Sequence, residues 1–170
     1  MNSLVLFSHG KESGPWGSKI RYLADLAVQQ GCAVLSPDYS GMDDPAARID
    51  QLLGLDLPAH DRLVMVGSSM GGYVATAASA TLKPAGLFLL APAFGMANYP
   101  EAYPAPSAGA ICVLHGWRDD IVPPERGIYF ALQHRAELHV LDGDHRLNAL
   151  LPEVGVLFAN FLARVLAQSG

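Results

Sequence analysis

Apolar residues fall along the chain in six short runs: Leu4–Phe7, Ala33–Leu35, Leu63–Val66, Leu87–Leu90, Ala110–Leu114 and Leu138–Leu141. Most are continuous rather than alternating, as strands read when both faces of a parallel sheet are covered. The segments between them keep a different period. Ile20, Leu23, Ala24, Ala27 and Val28 recur at helical spacing, and Gly31 supplies the stop. Asp44 ahead of Pro45 has the form of an N-cap followed by a first-turn proline. Met70 to about Ala80 is rich in alanine, the best helix former. Pro123 and Pro124 open a short helix towards Leu132, and Val154, Leu157, Phe158, Phe161, Leu162 and Val165 stripe a terminal one. Strand and helix alternate with no repeat and no linker. The pattern predicts one α/β domain over residues 1–170, a doubly wound, mainly parallel sheet of about six strands with helices on both faces. Ala91–Ala108, rich in Pro, Ala and Gly, reads as a loop long enough to be functional.

Composition supports a single well-filled core. Of 170 residues, 51% are apolar and only 16% charged, against roughly 25% charged in typical domains. The formal charge is −5, and Lys and Arg are scattered, so no clustered cationic face exists to hold nucleic acid. Cys32 and Cys112 form no C-x-x-C pair and each lies in or beside an apolar run, which predicts two buried free thiols and a reducing compartment. The N-terminal apolar stretch is shorter than the roughly 7–15 residues of a signal peptide and lacks a basic flank. No stretch approaches the ~18 apolar residues of a membrane span. A cytoplasmic protein without membrane or nucleic-acid partners is the expectation, its oligomeric state left open. Asp142-x-Asp144-His145 is too short a set for a metal site. Gly10-Lys11 is followed by Glu12, so no phosphate loop forms, and no cofactor is expected.

Candidate chemistry begins at Leu63–Gly72. Gly67-x-Ser69-x-Gly71 follows an apolar strand and opens the alanine-rich helix. A serine on so sharp a turn needs small neighbours, and the turn pushes its hydroxyl out above the sheet, at a helix N-terminus that favours developing negative charge. An inert serine in a glycine-rich turn is the alternative. Spacing to both glycines selects Ser69 over Ser68. Further on, Val113–Pro123 is a strand running into Asp119 and Asp120, which places an acid at a strand's carboxyl end, on the crevice that Ser69 faces. His145 lies on the loop beyond the last apolar run, and a serine nucleophile needs a base that titrates near neutrality.

Taken together, these segments resemble the α/β-hydrolase superfamily, most closely its small, lid-less bacterial hydrolases. There a strand runs into H-G-x-x-D-x-x-V-P, matched here by His115 to Pro123, and the matching acid is Asp119; Asp120 falls one residue off. The resemblance implies His145 as the base and the order Ser69, Asp119, His145. It also matches Ser8-His9-Gly10-Lys11 to the family's H-G-x loop, which makes the Lys11 and Met70 N–H groups the oxyanion donors and leaves His9 to hold the loop. His139 reads as a strand residue, His60 and His134 as exposed, and His115 as part of the turn before Asp119. Against the family pattern the sequence starts at the oxyanion strand, lacks the two antiparallel strands before it, and has no room for a cap domain. The implied activity is hydrolysis of a small carboxylic ester or thioester through an acyl-enzyme on Ser69, with a small-molecule acyl substrate. An amidase or peptidase, or a ligand- or protein-binding relative that does not turn over, is the alternative.

Overall fold

The computed structural model describes residues 2–168. Its six strands are β1 (Ser3–Ser8), β2 (Ala33–Leu35), β3 (Arg62–Ser68), β4 (Gly86–Leu90), β5 (Ala110–Gly116) and β6 (Glu137–Leu141). They form one sheet in the order β2-β1-β3-β4-β5-β6, with every neighbouring pair parallel. Four crossovers carry a helix: α1 (Ser18–Gln29), α2 (Pro45–Leu53), α3 (Met70–Leu82) and α4 (Pro124–His134). The exception joins β4 to β5, where residues 91–109 form neither helix nor strand. A final helix, α5 (Leu151–Ala167), closes the domain.

The fold is doubly wound, as the apolar runs predict, because each strand supplies side chains to two cores. Val5, Phe7, Val64, Val66, Phe88 and Leu114 pack beneath α1 and α5, while Leu4, Leu6, Met65, Leu87, Leu89 and Val113 pack beneath α2, α3 and α4. Phe88 lies edge-on to Phe158 of α5, and truncating such a buried ring to Ala costs roughly 3–5 kcal/mol. The Asp44 cap is made: its Oδ1 accepts the Ala46 N–H at 3.0 Å. Gly31 ends the first helical segment at φ +81°, a conformation that favours glycine.

One expectation is corrected. Residues Asn148–Ala167 form a helical stretch of 20 residues with mean hydropathy 1.6, long and apolar enough by composition to cross a membrane. In the fold this stretch is the lid of one core, with Val154, Phe158, Phe161, Leu162 and Val165 turned inward. Both cysteines are free and buried. Cys32 precedes edge strand β2, and Cys112 lies on β5 beyond three intervening strands.

The chain winds from β1 to β2 in one direction and from β3 onward in the other. Between β1 and β3 the carboxyl ends therefore part and leave a crevice, the place where ligands bind in open parallel sheets.

Candidate active site

Ser69 sits where β3 turns into α3, at φ 54° and ψ −120°, a strained conformation for any residue with a Cβ. The turn is held over-determined. Ser69 N–H donates to Leu90 O at 2.9 Å, and Ser69 O accepts from Gly72 N at 2.9 Å and Ala93 N at 3.0 Å. The flanking glycines are required by contact. A Cβ on Gly67 would land on the Gly71 carbonyl and lie 2.6 Å from the Gly72 Cα. One on Gly71 would land on the Ser8 carbonyl and lie 2.6 Å from the His9 oxygen. The end of β1 thus crosses directly over the start of α3.

The structure brings together the three side chains singled out from sequence. His145 Nε2 is 2.9 Å from Ser69 Oγ, and His145 Nδ1 is 2.7 Å from Asp119 Oδ2. Since a carboxylate only accepts, Nδ1 carries the ring proton and Nε2 is left to accept from the serine hydroxyl. Asp119 is buried and its carboxylate is saturated with donors. Oδ1 accepts from the Ile121 and Val122 amides at 2.9 and 2.8 Å, and Oδ2 faces His115 Nε2 at 3.1 Å as well as His145. Burial alone would raise the Asp119 pKa. Hydrogen bonds from His115, His145 and the two amides outweigh it and hold the carboxyl well below the usual carboxylate range. Asp120 is exposed and lines the cleft.

Lys11 and Met70 both line the same cleft as Ser69. His9 is fully buried; its Nδ1 donates to Gly10 O at 2.7 Å and its Nε2 accepts the Tyr39 N–H at 2.9 Å, so it holds the loop. Burial lowers its pKa, which keeps the ring neutral at pH 7 and suits that exchange. His134 is exposed, whereas His60 and His139 are half-buried; the latter bonds Glu137 at 2.7 Å. Among the described residues, Cys112, Glu137 and His139 bring three possible ligand atoms within 4.8 Å of one another. Glu137 is already bonded to His139 through one oxygen and to Arg164 through the other, which accounts for the cluster as an ion-pair group.

The cleft has a volume of about 450 Å³. Ala93, Met96, Tyr99, Ile121 and Val122 give it an apolar side. Residues 91–108 form part of its wall and are tied down. Glu101 N–H donates to Tyr73 Oη at 3.1 Å, Ser107 N–H to Ser79 Oγ at 2.9 Å, and Arg126 Nη1 to Phe94 O at 3.1 Å.

Residues 5–167 match the model of the alpha/beta hydrolase family. The chain belongs to that family. A search of curated proteins finds no significant match. Among solved structures, an alpha/beta superfamily protein from Xanthomonas campestris pv. campestris is 29% identical, with a TM-score of 0.86 over 96% of this chain and 99% of that one. A serine hydrolase without lid from Xanthomonas campestris is 21% identical, with a TM-score of 0.72 over 99% of this chain and 84% of that one. An esterase from Pyrococcus furiosus is 19% identical, with a TM-score of 0.77 over 95% of this chain and 81% of that one. At these last two identities the likeness is one of fold.

Three residues of this alpha/beta hydrolase escape sequence reasoning. His115 is fully buried, and besides facing Asp119 its Nε2 lies 2.9 Å from Val122 O. Both neighbours are acceptors there, so Nε2 bears the proton. Its Nδ1 has no partner and packs against α4, where a Cβ on Gly127 would come within 2.5 Å of it. Its spacing of four from Asp119 was the available signal. Lys19, at the start of α1, donates to Arg146 O at 2.8 Å and so ties down the loop bearing His145; burial lowers its pKa to about 8. The third is Arg48, buried on α2. It stands between Pro45 and Leu52 on that helix's inward stripe, a place where a charged residue is out of pattern.

Proposed function

We propose that this protein is a serine hydrolase that cleaves a small carboxylic ester or thioester through an acyl-enzyme. The observation that carries this reading is the unbroken line Ser69 Oγ–His145 Nε2, His145 Nδ1–Asp119 Oδ2, with separations of 2.9 and 2.7 Å, at the floor of a cleft. In this reading His145 Nε2 takes the hydroxyl proton as Ser69 Oγ bonds to the acyl carbon. The carbonyl π pair moves onto oxygen, and that oxyanion is received by the Lys11 and Met70 N–H groups, each worth a few kcal/mol of barrier lowering. As the carbonyl re-forms, the bond to the alkoxide or thiolate breaks and the leaving group takes the proton from His145. Water then repeats the sequence against the acyl-enzyme, releasing the carboxylic acid and restoring Ser69. Asp119, kept ionised by its donors, orients His145 and stabilises its cationic form. No cofactor enters these steps.

The apolar side of the cleft favours a short aliphatic or aryl acyl group. A Pyrococcus furiosus esterase shares this fold, which supports an ester as the substrate class. Labelling by a fluorophosphonate and turnover of activated short-chain esters test the reading. Ser69→Ala is expected to abolish labelling and to lower turnover by at least ~10³-fold, because such residues act as a unit, while Ser68→Ala retains most of both. A wild-type protein inert to the probe and to every activated ester, thioester and amide is a binding protein instead.

A further inference from the structure

Arg48 is among the largest side chains fully buried in the protein, with 1% of its surface exposed. None of the ion pairs among the described residues includes it. Its partners are carbonyls: Nε donates to Met42 O at 2.7 Å, and Nη1 to His9 O at 2.9 Å and, more weakly, towards Gly10 O at 3.4 Å. The guanidinium also lies 5.1 Å from the centre of the Tyr39 ring. Charged residues are almost never fully buried without a counter-ion, because desolvating the ion is costly.

What Arg48 holds is the backbone of the β1 loop. A trans peptide is planar, with its oxygen and its N–H on opposite sides. The His9 and Gly10 oxygens face the guanidinium, and the Gly10 oxygen is fixed from a second direction by His9 Nδ1 at 2.7 Å. The amides of the same two peptides, Gly10 N–H and Lys11 N–H, are therefore turned the other way. Ser69 lies near that backbone: a Cβ on Gly10 would come 3.5 Å from the Ser69 Cβ, and Gly10 and Lys11 both line the cleft. Successive amides presented on one side of a chain form a concavity that receives an anion.

We infer that Arg48 is the positioning residue of the oxyanion site. By gathering the His9 and Gly10 carbonyls onto its guanidinium, it aims the Lys11 amide towards Ser69 and polarises the Gly10–Lys11 peptide, so that this N–H donates more strongly. It touches no reacting atom and acts through the peptide. The role rests on the hydrolase reading above.

The test compares an activated ester with its thionoester, in which sulfur replaces the carbonyl oxygen. Sulfur is larger and a weaker acceptor, so a working oxyanion site favours the oxygen substrate. In Arg48→Met, kcat for the ester is expected to fall by about 10–100-fold with KM within about threefold, and the oxygen-to-sulfur rate ratio to shrink. Arg48→Lys, which keeps the charge and one donor, is expected to recover part of both. If Arg48→Met does not fold, Arg48→Lys is read alone and should show a reduced ratio. A folded Arg48→Met with wild-type kcat overturns the inference, as does a fall in kcat with the ratio unchanged in every variant that folds. If neither variant folds, the role of Arg48 is structural and the assignment fails. A wild-type protein that neither hydrolyses the ester nor takes up a fluorophosphonate defeats the hydrolase reading, and this role with it, in the control rather than in the variants.

Discussion

At the β5 end of the cleft a buried anion, Asp119, is surrounded by N–H donors; at the β1 end a buried cation, Arg48, is surrounded by carbonyl oxygens. The two arrangements mirror each other in charge and differ in range. Three of the four donors around Asp119 come from residues 115, 121 and 122, within the same strand-end turn. The carbonyls on Nη1 of Arg48 come from 39 and 38 positions away. The acid end is thus made by a local segment that folds onto its own carboxylate. The β1 end is completed only when α2 docks against the sheet.

If the acid end works as a unit, its removal has the largest effect. Asp119→Asn leaves the shape and removes the charge, and kcat on an activated ester is expected to fall by up to ~10⁴-fold as His145 loses its oriented tautomer. Asp120→Asn, one position along and exposed, is expected to keep most activity. A dead Asp120→Asn beside an active Asp119→Asn would reverse the choice of acid.

A smaller effect sharpens the claim that the donors are local. His115→Leu removes the Nε2 donor at nearly constant volume and is expected to lower kcat about tenfold, the equivalent of ~1.4 kcal/mol. His115→Gln, whose amide can reach the same place, is expected to recover most of that loss. Equal activity in the two variants, measured at matched thermal stability, would make His115 a packing residue only.

The smallest effect is on stability. The folded pKa of Asp119 lies below its unfolded value, so its stabilisation is fully present above about pH 4 and is lost as pH falls through the folded value. The gap in Tm between wild type and Asp119→Asn is expected to narrow between about pH 4 and pH 2. A gap that stays constant over that range would show that the carboxylate is not held by its donors in the way described.

The same difference in range explains what could be read from the sequence. The strands were legible because each is a continuous apolar run covered on both faces, and their observed bounds extend the runs by no more than two residues at either end. Ser69 was legible because its turn requires glycines at 67 and 71, and the backbone contacts that exclude a Cβ at each are short in sequence or lie directly above it. Asp119 and His145 follow strand ends, which sends both to the cleft, while the resemblance to the family pattern singled out Asp119 over Asp120 and His145 as the base. Arg48 was not found, because its carbonyl partners at 9 and 10 have no side-chain signature. The donation from His115 to Asp119 was missed for a related reason: a buried imidazole and a turn imidazole look alike until Gly127 is seen to pack against the ring. The terminal helix was legible from its apolar stripe, whereas its mean hydropathy of 1.6 was not, because Glu153 and Arg164 interrupt the apolar run.

The positive φ at Ser69 has an evolutionary consequence. A backbone held in that region costs of order 1–3 kcal/mol, and glycine would relieve most of it. On the proposed hydrolase reading, Ser69→Gly is therefore expected to abolish turnover while raising Tm. Drift towards stability would erase the serine in any lineage that had stopped using it, since nothing about folding rewards keeping a Cβ and a hydroxyl there. On the proposed reading, selection for chemistry is what offsets the thermodynamic advantage of losing this serine.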